Sequence, residues 1–175
     1  CIMSKEKTAF IPKQYFAVVA VLLAIMMSVL DGTIMNIALP TLAHDFDVTP
    51  ANAIWIINAY QLVITMTLLS FASLGDIYGY RRIFLTGISI FVGASAACAF
   101  SDSFWMLTVS RIIQGFGAAC VMSVNTALIR LIYPPQILGR GMGVNAMVVA
   151  VSAAAGPSIA GSILTLGSWH LVIRN

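Results

Sequence analysis

The chain has 175 residues, 60% of them hydrophobic and 9% charged, with a formal net charge of +3. Soluble domains carry about 25% charged residues, so a water-soluble fold is excluded. The basic residues are scattered rather than gathered on a patch or stripe, so nucleic acid is excluded as a partner.

A membrane-spanning helix needs about 20 mostly apolar residues. Five runs meet that length: 15–39, 52–74, 83–100, 104–132 and 141–166. Short links join them into one all-α integral membrane domain over 15–166, behind a segment 1–14 and ahead of a tail 167–175. Lys5, Lys7 and Lys13 precede span 1, Arg81 and Arg82 lie in loop 2–3, and Arg130 and Arg140 bracket loop 4–5. The other two links hold His44, Asp45, Asp47 and Asp102, and no Lys or Arg. Cytoplasmic loops carry the Lys and Arg excess, which puts the N-terminus and loops 2–3 and 4–5 in the cytoplasm. A cleaved secretory signal is the alternative for 4–40, but the apolar stretch is too long and no A-x-A site follows.

Span 1 carries a single charge within 15–39, Asp31. A carboxylate at the centre of a membrane helix costs about 2.5–3.5 kcal/mol, and such residues mark ion or substrate pathways. Counting at about 1.5 Å per residue puts Asp31 roughly 7–8 Å outward of the midplane. Asn36 lies further along the same span. On span 2, Asn58 and Gln61 are three apart and share a helix face.

Loop 2–3 reads Ala72-Ser73-Leu74-Gly75-Asp76-Ile77-Tyr78-Gly79-Tyr80-Arg81-Arg82. Gly75 and Gly79 permit a tight reversal. Asp76 ends span 2, where the helix dipole disfavours an anion. It calls for a cation or another helix's N-terminus nearby, and Arg81, Arg82 and Arg130 are the available cations. Cys98 and Cys120 fall inside spans and Cys1 is terminal, an odd set with no metal-like spacing; neither a disulfide framework nor a metal site is expected.

Span 4 carries Arg111, about 6 Å outward of the midplane by the same count, with Gln114 three residues on. Two intramembrane charges of opposite sign at similar depth imply that spans 1 and 4 face each other across a polar cavity. The amides Gln114, Asn36, Asn58 and Gln61 are expected to make it a partly wet pocket for a drug-sized molecule. A static ion pair is the alternative. Span 5 holds Gly156, Pro157 and Gly161 behind a run of alanines, a stretch that allows close helix approach and a kink.

Together these segments resemble the major facilitator superfamily, and within it the drug:proton antiporter-2 family of fourteen-span exporters. Leu30-Asp31-Gly32-Thr33-Ile34-Met35-Asn36-Ile37-Ala38-Leu39-Pro40 resembles that family's span 1 signature. Asp76 to Arg82 is similar to the superfamily's cytoplasmic loop motif, with Ala72 where glycine is usual and Ile77 and Tyr80 where basic residues are common. Arg111-Ile112-Ile113-Gln114-Gly115-Phe116-Gly117-Ala118-Ala119 resembles the span 4 motif, whose arginine the family links to proton coupling. Gly156-Pro157-Ser158-Ile159-Ala160-Gly161 resembles the antiporter motif, with Ser152 and Ala160 replacing glycines.

The resemblance implies export of hydrophobic or cationic compounds in exchange for protons, by alternating access between two halves. The implied partners are protons, drug-like small molecules and membrane lipid, with no cofactor, in a multi-pass protein of the bacterial inner membrane. It also implies a six-helix first half, of which five helices are here, and an opposing half supplied by a missing C-terminal part or by self-association. Opening on Cys1, with Met3-Ser4-Lys5 a more plausible start and an unusual tail, the chain reads as an interrupted frame, inactive alone. A small membrane interaction or regulatory protein and a solute uptake carrier are the alternatives; the export-type span 5 motif argues against uptake. An enzyme is not expected: there is no H-x-x-x-H or G-x-S-x-G pattern, and His44 and His170 are isolated.

Overall fold

Inside a bilayer every backbone polar group needs a partner within the protein, and a chain this apolar satisfies that demand as helix. A computed structural model describes residues 12–166. The expectations for Cys1, Lys5, Lys7, His170 and the tail lie outside the described residues. Five helices fill the described region, with no strand: α1 (Pro12–Asp45), α2 (Pro50–Tyr78), α3 (Tyr80–Ala99), α4 (Phe104–Ile132) and α5 (Leu138–Leu166). All five are long and apolar enough to cross a membrane.

The helices run beyond several of the apolar runs. α1 continues past Leu39 because Pro40 sits inside it without ending it, a tolerance common in membrane helices. α2 starts at Pro50, with the Thr49 hydroxyl accepting from the Asn52 backbone N–H at 3.3 Å. Proline at the first helical position gives up an N–H that has no helical partner anyway. Ser103 caps α4 in the same way, accepting from the Met106 N–H at 3.2 Å. One residue, Gly79, separates α2 from α3, and its φ of +92° is open to glycine at little cost.

α4 is the central helix: 56% of its apolar stretch is buried inside the molecule, against 11–28% for the others. It packs on α3 and α2, while α1 packs on α5 and touches α2 and α4. The α3–α4 crossing is set by glycine. A Cβ at Gly117 would lie 2.6 Å from the Phe91 backbone nitrogen, and one at Gly87 would lie 2.6 Å from Cys120 Cβ. Small residues at such crossings let two backbones approach in lipid, where packing replaces the hydrophobic effect between helices.

The core is layered along the helices. Val21, Ala24 and Ile25 pack with Phe84, Val121, Val124 and Ile129 at one level. Met35, Ala38 and Leu42 pack with Ile56, Cys98 and Leu107 at another. Asp31 lies on α1 between these two layers.

Candidate functional site: an ion pair between α1 and α4

Asp31 and Arg111 meet. Arg111 Nη1 donates to Asp31 Oδ2 at 2.6 Å, with side-chain exposures of 6% for the arginine and 22% for the aspartate. The same nitrogen donates to Gln114 Oε1 at 2.8 Å, and Gln114 Nε2 donates to Asp31 Oδ1 at 3.1 Å. Arg111 and Gln114 are three apart, so one face of α4 presents both to the carboxylate. The three side chains thus form a closed ring, with both carboxylate oxygens accepting.

Two further helices hold this ring. Ser95 on α3 accepts from Gln114 Nε2 at 2.7 Å, and Cys98 Sγ lies 3.8 Å from Gln114 Oε1. From α2, the ring of Tyr60 lies under the guanidinium, 5.6 Å from its carbon to the ring centroid. Charge on Arg111 is therefore met by a carboxylate, an amide oxygen and an aromatic face. The amide oxygen and the aromatic face are contacts that do not depend on the charge of Asp31.

The other amides expected here stand apart. Asn36 is exposed and turns back on its own helix, donating to the Gly32 carbonyl at 2.9 Å. Asn58 and Gln61 are exposed on α2, whose buried face is Ile56, Tyr60 and Ile64. No hydrogen bond joins them to the Asp31 ring among the described residues. Tyr60 and Ser95 are the members that the sequence left unnoticed. Ser95 and Cys98 share a face of α3 at a spacing of three, the one signal that could have pointed there.

At the other end of α2, Asp76 is exposed and its partner is the Tyr80 hydroxyl, which donates to Oδ1. Arg81, Arg82 and Arg130 are all exposed, and none pairs with Asp76 among the described residues. The four-residue spacing across Gly79 puts the hydroxyl within reach, so a departure from the basic residue common at position 80 supplies the aspartate's partner. On α5, Gly156 is buried against α1: a Cβ there would lie 2.5 Å from Thr33 Cγ2. Pro157 is exposed, and a Cβ at Gly161 would meet nothing within 4 Å. Of the two glycines of that motif, Gly156 makes the close approach, and Ala160 is also fully buried. A second polar contact, absent from the sequence reading, joins α4 to α5, where Asn125 Nδ2 donates to Asn145 Oδ1 at 3.3 Å.

Residues 21–173 match the profile of the Major Facilitator Superfamily. The uncharacterized transporter YebQ of Escherichia coli K12 is 57% identical over 159 residues, 91% of this chain and 35% of that protein. The riboflavin transporter RibZ of Clostridioides difficile is 34% identical over 90% of this chain and 34% of its own length. The tetracenomycin C resistance and export protein of Streptomyces glaucescens is 36% identical over 87% of this chain and 28% of its own length. The chain spans about a third of the length of these relatives.

Proposed function

Since the chain belongs to the Major Facilitator Superfamily, a family of transporters rather than enzymes, we propose that it forms the N-terminal part of a proton-coupled exporter of hydrophobic or cationic compounds. The observation that carries this reading is the Asp31–Arg111–Gln114 ring, closed within the membrane span by hydrogen bonds of 2.6 to 3.1 Å. Asp31 takes and releases the coupled proton, and Arg111 holds it at the level where the two halves of a carrier meet. Relatives named for drug export support the substrate class. The five helices form one wall of the transport path, and the opposing wall comes from the rest of a longer protein or from a second copy. Asp76, Gly79 and Tyr80, with Arg81, Arg82 and Arg130 beside them, form the cytoplasmic gate, and Gly156 sets how α5 moves on α1. The bacterial plasma membrane is its location, with the basic links on the cytoplasmic side.

A second reading, carriage of a flavin-like metabolite, is favoured by one observation: the riboflavin transporter is as similar as the exporters are. Transport in everted vesicles separates the two. The chain joined to the remainder of its 57%-identical relative should accumulate a fluorescent lipophilic cation when the vesicle lumen is acidic. Accumulation of labelled riboflavin, with none of the cation, would establish the second reading.

A further inference from the structure

Arg111 presents a buried hydrogen-bonding group that the ring does not use. Its Nε is buried and has no hydrogen-bond partner among the described residues, and the whole residue is 5% exposed. An unsatisfied charged donor in a low-dielectric interior costs more than a neutral one, so native structures rarely leave one bare. Arg111 also lines a small cavity between α1, α2 and α4, together with Gly32, Met35, Ile56, Ile57 and Tyr60. Its volume is about 10 Å³, the room that one water needs. A substrate does not fit there. Gly32 brings no side chain to this wall, and an added Cβ would meet nothing within 4 Å.

We propose that this cavity binds a single water that accepts from Arg111 Nε and forms a further member of the Asp31 ring. A buried water needs two to four polar partners. Besides Arg111, Tyr60 is the one polar side chain among the residues lining the space. With a water on Nε, Asp31 and Gln114 on Nη1 and the Tyr60 ring below, the guanidinium is anchored from several sides. It then stays in place whether Asp31 is charged or neutral. Gly32 is accordingly a positioning residue, one that makes room for the water.

The test is solid-state NMR of the chain in lipid bilayers with labelled arginine, reading magnetisation transfer from water to each Nε–H. Loss of one resonance in Arg111→Gln assigns the signal. The Arg111 Nε–H should receive magnetisation directly from water, and Gly32→Val, which fills the cavity, should abolish that transfer. The Arg111 Nη signals report whether the ion pair survives in the variant. Absence of transfer to Nε in the unaltered chain would overturn the proposal, whatever the variant does. So would undiminished transfer in a Gly32→Val chain that keeps its ion pair.

Discussion

Arg111 is 5% exposed and shares its Nη1 between Asp31 and Gln114, so neutralising Asp31 leaves the guanidinium hydrogen-bonded to an amide but buried without its counter-charge. Breaking one partner out of a buried pair costs about 3–5 kcal/mol, whereas removing both is often nearly neutral. Asp31→Asn alone should therefore destabilise the helical bundle by about that amount in detergent unfolding, and Asp31→Asn with Arg111→Gln should recover most of it. A double variant as unstable as the single one would mean the charges do not interact across α1 and α4. The Tyr60 ring makes a smaller contribution. Tyr60→Leu should cost about 0.5–2 kcal/mol beyond Tyr60→Phe, because phenylalanine keeps the aromatic face under the guanidinium. Equal losses would remove the cation–π contact from the account. Asp31, Arg111 and Gln114 were legible because a charge or amide stands out in an apolar run. Ser95, Cys98 and Tyr60 were not, since small and aromatic residues are ordinary in membrane helices. Asn36, Asn58 and Gln61 are exposed and stand apart from the ring, because depth alone does not say which way a side chain faces.

At the level of the helices, glycine positions divide into those that set a crossing and those that do not. Gly117 faces backbone: an added Cβ would be 2.6 Å from the Phe91 nitrogen and 2.8 Å from the Gly87 carbonyl oxygen. Backbone atoms cannot swing aside as a side-chain tip does. Gly117→Ala should separate α3 from α4 at a cost of about 1–3 kcal/mol, the range for overpacking. Gly143→Ala, at a site with nothing within 4 Å, should unfold like the unaltered chain. Similar stability changes at the two sites would show that the α3–α4 crossing does not govern the response. The helices themselves were legible from apolar length. Their ends were less so: α1 runs through Pro40, and α2 extends to Tyr78, past the reversal glycine at 75. Hydropathy marks where lipid lies, while caps and backbone angles decide where a helix stops.

Across the whole molecule, the proposed topology puts the basic links 2–3 and 4–5 on the cytoplasmic side. With its native cysteines replaced, the chain carrying Thr49→Cys should react with an impermeant thiol reagent applied outside cells, and Tyr80→Cys should not. Labelling of the second but not the first would invert the topology. The central claim is that Asp31 and Arg111 couple protons to transport, and it is tested most directly in the longer protein, with the rest supplied by the 57%-identical relative. The measurement is the pH dependence of cation accumulation in everted vesicles by the double variant Asp31→Asn with Arg111→Gln. The coupling account predicts a folded protein, inserted at normal levels, that no longer responds to a proton gradient. Accumulation with an unchanged pH dependence would contradict it and leave the pair a structural clasp between α1 and α4.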